Sequence, residues 1–205
     1  MRVVYTRLCT TQEAGLAEWP VDNLPPVYRE RVAAMDNRAA RARTVAGLLL
    51  LRYGLADDAA WQRLGLSATG RPEIAGGLGF SISHSAALVG CALCDTADVG
   101  LDIEARRSDV SARLVERIAT AEHDFFAAWC AREATVKASG RVGLARVRAI
   151  GLERCHARLD ERDWPLRWLD LDDDYAACLA VAPEAAATLD AVECERVDAR
   201  TLIGR

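Results

Sequence analysis

The chain has 205 residues, of which 51% are hydrophobic and 27% charged, so it can bury a sizeable core and has the composition of a globular protein. Its net charge of -4 gives no general attraction to nucleic acid, so any anion site must be local. The seven cysteines are odd in number and scattered, which argues against a disulfide framework and indicates reduced thiols.

The first half of the chain predicts three strands and two helices. The strands are Val3–Cys9, Phe80–Ser83 and Ala87–Cys94, and the helices are Asp36–Tyr53 and Asp57–Leu64. Gly70–Pro72 predicts a turn. A local positive charge comes from the arginines between Tyr28 and Arg52, which are Arg29, Arg31, Arg38, Arg41, Arg43 and Arg52.

The second half repeats the order of strand, helices and further strands. The predicted strands are Val99–Glu104, Ala149–Glu153, Pro165–Leu171, Tyr175–Val181 and Ala191–Val197, and the predicted helices are Val110–Thr120 and His123–Ser139. Asp95–Asp98 and Asp172–Asp174 predict turns. The two halves therefore favour an α+β protein of two lobes, residues 1–97 and 98–205.

Three segments could be taken for a membrane span, a zinc site and a signal peptide, and we expect none of the three. Residues 74–94 lack Asp, Glu, Lys and Arg, but the glycines, serines and His84 in GGLGFSISHS predict turns and strands rather than a membrane span. Cys91 and Cys94 form a single C-x-x-C, which is too few ligands for structural zinc. The first residues, MRVVYTRLCT, carry charges where a signal peptide is apolar, so we expect a cytoplasmic protein without a membrane partner.

Polar side chains are placed together by the periods of one strand and one helix. Asp102 and Glu104 lie two apart on the Val99–Glu104 strand and share a face, while Val99, Leu101 and Ile103 point into a core. In WCAREATVKA, Trp129, Glu133 and Lys137 form one helical stripe beside Arg132. Two strand carboxylates and one helix carboxylate suit Mg²⁺, and Arg132 and Lys137 would hold phosphates beside it.

Each pair also has a plainer interpretation. Glu133 and Lys137 could be an exposed helix pair, and Asp102 and Glu104 a solvated strand face. On either interpretation we expect Asp102 to be an exposed strand carboxylate. Lys137, however, is the only lysine among 26 basic residues, which suggests that this position needs a compact ammonium group.

Four segments in order carry a family resemblance: GRP at 70–72, FSISHS at 80–85, VGLDIE at 99–104 and WCAREATVKA at 129–138. They resemble the motifs of the 4′-phosphopantetheinyl transferases, and RARTVAGLLLLR at 41–52 is similar to the first helix of the surfactin-type branch. The resemblance covers about residues 28–140. It implies a monomer of two similar α/β lobes related by a pseudo-two-fold axis, with the site between them.

The resemblance also implies an activity and its partners. The family transfers the phosphopantetheine arm of coenzyme A to a serine of an apo acyl or peptidyl carrier protein, with Mg²⁺ or Mn²⁺, and releases 3′,5′-ADP. Asp102, Glu104 and Glu133 match the metal ligands, and Asp102, Glu133 and Lys137 the catalytic residues. The coenzyme A contacts are Arg31, Arg43, Thr44, Arg71, Pro72, Ser83, His84, Arg132 and Lys137. Glu133 or a water on the metal would be the base.

Two departures concern the carrier and the phosphates. The segment 105–128 is shorter than expected for this branch, which affects the carrier-facing surface. Arg132 stands where the family usually has lysine.

Other classes of function fit less well. A non-catalytic coenzyme A or nucleotide-binding protein of the same fold is the alternative, but it would not need three converging carboxylates. A serine hydrolase would need a partner for Ser83 or Ser85, and His84 points to the opposite side of the strand. GGLG lacks the third glycine and following helix of a dinucleotide site.

Overall fold

The computed structural model of the chain describes residues 1–67, 70–74, 76, 78–95, 98–140 and 144–204, without the side chain of Leu144. The strands are β1 (Arg2–Arg7), β2 (Leu64–Leu66), β3 (Pro72–Ile74), β4 (Gly79–Ser85), β5 (Leu88–Cys94), β6 (Val99–Ala105), β7 (Gly151–Leu152), β8 (His156–Leu159), β9 (Arg162–Trp168), β10 (Tyr175–Val181) and β11 (Glu193–Arg196). The helices are α1 (Thr10–Ala17), α2 (Pro26–Ala33), α3 (Arg38–Leu55), α4 (Asp58–Gln62), α5 (Ala112–Ile118), α6 (Phe125–Ala138), α7 (Leu144–Ala149) and α8 (Ala199–Ile203).

The first sheet has the strand order β11–β1–β5–β4, and the long helix α3 covers its outer face. β11 runs parallel to β1, whereas the other neighbours are antiparallel. α3 begins after Asn37, whose side chain accepts a hydrogen bond from the Ala40 amide, and it ends at Ala56 in the left-handed conformation. Its apolar side, which includes Val45 and Leu48, packs on β4 and β5.

The second sheet has the order β6–β10–β9–β8–β7 and is covered by α6. This helix begins after Asp124, whose carboxylate accepts a hydrogen bond from the Ala127 amide. The helix backbone lies directly on β6 at Gly100. A Cβ atom at that position would be 2.7 Å from the Ala138 nitrogen and would overlap the Ala134 carbonyl oxygen. The close approach brings the polar stripe of α6 beside the polar face of β6.

The inner faces of the two sheets pack together in a core of their own. Val99, Leu101 and Ile103 of β6 lie in it, as the strand period predicts, with alternate residues of β5 and β10. Each of α3 and α6 covers the face of its own sheet that lies away from this shared core, and β4 and β6 lie side by side. The predicted α+β class is confirmed.

The C-terminal segment returns to the first sheet. β11 pairs with β1, and α8 packs into the core that α3 forms. Residues 193–204 thus contact the first half of the chain, so a division at residue 97 does not separate all contacts. The boundary between 1–97 and 98–205 otherwise stays a prediction.

Most predicted elements are present with shifted ends. The predicted strands and helices correspond to β1, β4, β5, β6, β7, β9, β10 and β11 and to α3, α4, α5 and α6. The short elements α1, α2, α7, α8, β2, β3 and β8 were not predicted, and Ala149, expected to begin a strand, ends α7. The Asp172–Asp174 turn is confirmed, and Arg7 binds both Asp172 and Asp174. The turn expected at Asp95–Asp98 includes residues 96 and 97, which lie outside the described residues.

Cys91 and Cys94 are buried residues of β5, so this C-x-x-C belongs to the core. Within the described ranges, no helix has the length and apolar character needed to cross a bilayer.

Candidate active site

A cleft of about 460 Å³ opens between α3 and α6, where β4 runs beside β6. It contains residues from all four ordered motifs. The residues matched by resemblance that line it are Arg31, Thr44, Arg71, Pro72, Ser83, His84, Asp102 and Lys137. The side chains of β4 alternate between two directions. Phe80, Ile82 and His84 face α3, and the serines between them face β6.

Three serines join β4 to β6 by side chain rather than by a strand ladder. We call Ser81, Ser83 and Ser85 the serine seam. Their hydroxyl oxygens accept hydrogen bonds from the amides of Leu101 (2.9 Å), Ile103 (3.2 Å) and Ala105 (3.0 Å), respectively. The seam satisfies alternate amides of β6, which would be costly to leave buried without a partner.

Lys137 makes a full set of three hydrogen bonds at the floor of the cleft. Its Nζ donates to Asp102 Oδ1 (2.7 Å), to the Leu101 carbonyl oxygen (2.9 Å) and to Ser83 Oγ (3.0 Å). An ammonium has three donors, so every one is used. Because 29% of the Lys137 side chain stays exposed, a phosphate in the cleft could replace one of these acceptors.

Asp102 is buried, and the expectation of an exposed strand carboxylate is wrong. Only 7% of its side chain is exposed, because α6 lies over β6 at Gly100. Oδ1 receives hydrogen bonds from Lys137 and Ser83. The other oxygen, Oδ2, is buried with no hydrogen-bond partner among the described residues. An unpartnered carboxylate oxygen is costly in the interior, and it fits the need for a cation at this point.

Glu104 and Glu133 are half-buried beside Asp102. Burial, and then the charge of Asp102, raise the pKa of both carboxyl groups, while the Ser85 hydroxyl opposes this at Glu104 and Lys137 opposes it at Glu133. This mutual repulsion is what a divalent cation would relieve, so the donor set fits Mg²⁺ chemically. Nevertheless, no group of three His, Cys, Asp or Glu side chains in the described part of the chain is already arranged to hold a metal ion. The three-carboxylate metal site therefore stays a prediction.

Arg71 and His84 supply the polar groups on the other side of the cleft. Arg71 pairs with Asp98 at 2.7 Å and lies against Gly140, where an added Cβ would be 3.2 Å from the guanidinium. Burial, and then the neighbouring Arg43 guanidinium, lower the pKa of His84. His84 is therefore mainly neutral at pH 7 in the free protein, and an anionic group beside it would favour its charged form.

Two predicted coenzyme A contacts, Arg132 and Arg43, do not line the cleft. Arg132 donates to the Ile118 and Ala128 carbonyl oxygens, which ties the end of α5 to α6, and burial lowers its pKa. Its expected role as a phosphate contact stays a prediction. Arg43 donates to the Ala86 carbonyl oxygen, so it acts on the cleft through the charge that it presents to His84.

Sequence reasoning missed Ser85, Asp98 and Tyr28 at the site, and Ser81 as a structural contact of the serine seam. Ser81 and Ser85 follow the period of two that places them with Ser83, and this signal was visible in FSISHS. Tyr28 lines the cleft, and burial raises the pKa of its phenol to about 12. Asp98 is far from Arg71 in sequence, so only the fold reveals their pairing.

No protein-family model matches this chain, and a search of curated proteins found no match. The chemistry of the cleft is therefore the basis for the functional proposal.

Proposed function

We propose that this protein is a Mg²⁺-dependent 4′-phosphopantetheinyl transferase. It would transfer the phosphopantetheine arm of coenzyme A to a serine of an apo acyl or peptidyl carrier protein and release 3′,5′-ADP. The observation that carries the proposal is that four motifs separated in sequence line one cleft, through Arg71, His84, Asp102 and Lys137. The two sheets, each with one long outer helix, support the finer proposal of two similar lobes.

The cleft is suited to a ligand with several phosphates and one flat apolar end. Its volume of about 460 Å³ lies in the usual range for small-molecule sites. Arg31, Arg71 and Lys137 supply positive charge, whereas Tyr28 and Leu48 supply an apolar wall. The cations would contact the phosphates of coenzyme A, and the apolar wall would accommodate the adenine.

Asp102, Glu104 and Glu133 would hold Mg²⁺, which would neutralise negative charge on the diphosphate. The carrier serine oxygen attacks the β-phosphorus, and the bond from that phosphorus to the oxygen of 3′,5′-ADP breaks. The hydroxyl proton passes to the Glu133 carboxylate. Lys137 exchanges one of its three hydrogen bonds for a phosphate oxygen.

One observation favours a non-catalytic coenzyme A-binding protein of the same fold as the second candidate. Lys137 occupies Asp102 Oδ1, and the described carboxylates are not arranged around a common point. On this alternative the lysine would replace a metal ion permanently.

A single experiment separates these two functions. The protein is incubated with coenzyme A, Mg²⁺ and a panel of apo carrier proteins, and the intact mass of each carrier is measured. We expect at least one carrier to gain the mass of a phosphopantetheine group, with equal release of 3′,5′-ADP. Binding of coenzyme A without mass gain on any carrier would support the alternative.

A further inference from the structure

The serine seam has a repeating register with the carboxylates of β6. Ser83 Oγ donates to Asp102 Oδ1 (3.1 Å) and Ser85 Oγ donates to Glu104 Oε2 (3.0 Å), and both pairs are separated by 19 positions. The same register places Ser81 opposite Gly100, which has no side chain. Thus all three serines accept a β6 amide, but only two also hold a carboxylate.

We propose that Ser85 is a positioning residue, which holds the Glu104 carboxylate in place for a divalent cation at the β6 carboxylates. This inference rests on the metal site of the proposed function. Ser85 does not need to touch coenzyme A, the carrier or the cation. It acts through Glu104 alone.

The two hydrogen bonds of Ser85 restrict the motion of both the serine and the Glu104 side chain. A hydroxyl has one proton to donate, and Ser85 gives it to Glu104 while a lone pair accepts the Ala105 amide. The hydrogen bond from the Ala105 amide fixes the serine to the backbone of β6, the strand that carries Glu104. Glu104 has a flexible, half-buried side chain, so this contact removes freedom that would otherwise be lost when the cation binds.

Glu104 needs such a contact more than Asp102 does. Asp102 is held by Lys137 as well as by Ser83, and its short side chain is buried. Among the described residues, the side chain that donates a hydrogen bond to Glu104 is Ser85. Removing that hydroxyl therefore releases one ligand while it leaves the Lys137 network intact.

Ser81 is the matched control, because its hydroxyl accepts a β6 amide but faces no carboxylate. Ser81→Ala therefore measures how much one hydrogen bond of the serine seam contributes to the stability of the protein. Since Ser81 is 8% exposed and the Leu101 amide is deeply buried, this variant should lose at least as much thermal stability as Ser85→Ala.

The test is Mn²⁺ binding by the full chain with coenzyme A present, measured from the EPR signal of free Mn²⁺, with thermal melts in parallel. We expect Ser85→Ala to raise the Mn²⁺ dissociation constant about 10-fold, the lower end for loss of a residue that orients a metal ligand. Ser85→Thr keeps the hydroxyl and should stay within about 3-fold of wild type, and Ser81→Ala should match wild type in affinity.

A double-mutant cycle tests whether the effect passes through Glu104. In a Glu104→Ala background, adding Ser85→Ala should cause no further loss of Mn²⁺ affinity. Ser85→Cys, whose thiol is only a weak hydrogen-bond donor, should also lower the Mn²⁺ affinity, and it keeps the test decisive if Ser85→Ala folds poorly.

The inference is overturned if Ser85→Ala binds Mn²⁺ as tightly as wild type, or if Ser81→Ala weakens binding equally. In either case transfer by the wild-type protein would still support the proposed function. If the wild-type protein binds no Mn²⁺, the inference and the metal site of the proposed function fail together.

Discussion

Replacing Lys137 by Met should destabilise the protein by about 2–3 kcal/mol. The change removes three hydrogen bonds, one of which is the ion pair with Asp102, whose side chain is 7% exposed and keeps the hydrogen bond from the Ser83 hydroxyl. Breaking a fully buried ion pair costs about 3–5 kcal/mol. We expect a smaller cost for Lys137→Met because the Lys137 side chain is 29% exposed, so water partly compensates for the lost contacts.

The partner of the lysine should show the same dependence. Asp102→Asn removes the negative charge, and in that background Lys137→Met should cost less. We expect a coupling energy of about 1–2 kcal/mol between Asp102 and Lys137, as for contacting residues in one network. Lys137→Arg should be destabilising too, because a planar guanidinium cannot direct one donor to each of the three acceptors around Nζ.

Equilibrium urea unfolding at pH 7, followed by tryptophan fluorescence and far-UV CD, measures these differences. Arg38→Met is the control, since it breaks an ion pair with Glu18 whose side chains are 67% and 68% exposed. That change should cost about 0–1 kcal/mol. If Lys137→Met is no more costly than Arg38→Met, or if the Asp102 and Lys137 changes are additive, the buried network does not stabilise the fold.

Further outcomes follow from the same cleft. EDTA should abolish transfer and Mg²⁺ or Mn²⁺ should restore it, so full activity in metal-free buffer would refute the metal site. Arg71→Ala should raise KM for coenzyme A about 10-fold, but KM for dephospho-coenzyme A much less, and equal changes would mean that Arg71 does not contact the 3′-phosphate. Burial raises the pKa values of Glu104 and Glu133. At a pH between the ordinary and the raised pKa values, the folded protein therefore binds more protons than the unfolded chain. In that window the metal-free protein should gain stability as pH falls while Mn²⁺ affinity drops, as thermal melts and Mn²⁺ titrations would show. The Glu104→Gln/Glu133→Gln variant should lose the pH dependence of stability.

Local periodicity predicted α3, β4, β6 and α6, which form most of the cleft, but not α2 and β3, which also line it. The period of two in VGLDIE placed Asp102 and Glu104 on one face and three apolar residues in the core, and the structure agrees. The helix period likewise placed Glu133 and Lys137 on one stripe. These features depend on neighbours in sequence, so a single strand or helix contains enough information.

Burial of polar groups was not predictable in the same way. Asp102 was expected to be exposed, yet its partner Lys137 comes from another element 35 positions later. Arg132 lies beside the correct stripe, but the Ile118 carbonyl oxygen at the end of α5 determines where its guanidinium binds. Short helices such as α1 and α2 have too few turns to show an apolar period.

Gly100 connects the close packing of α6 with the chemistry of the cleft. The helix backbone at Ala134 and Ala138 rests on this glycine, and a side chain there would overlap Ala134. Glu133 and Lys137 each precede one of those contact positions by one residue, so the absence of a side chain at position 100 sets how far they lie from β6. Lys137 can reach the Leu101 carbonyl oxygen at 2.9 Å only because the helix approaches this closely. At this distance a compact ammonium meets three acceptors while a broader guanidinium would not fit, which gives a physical reason for the single lysine in a chain that otherwise uses arginine.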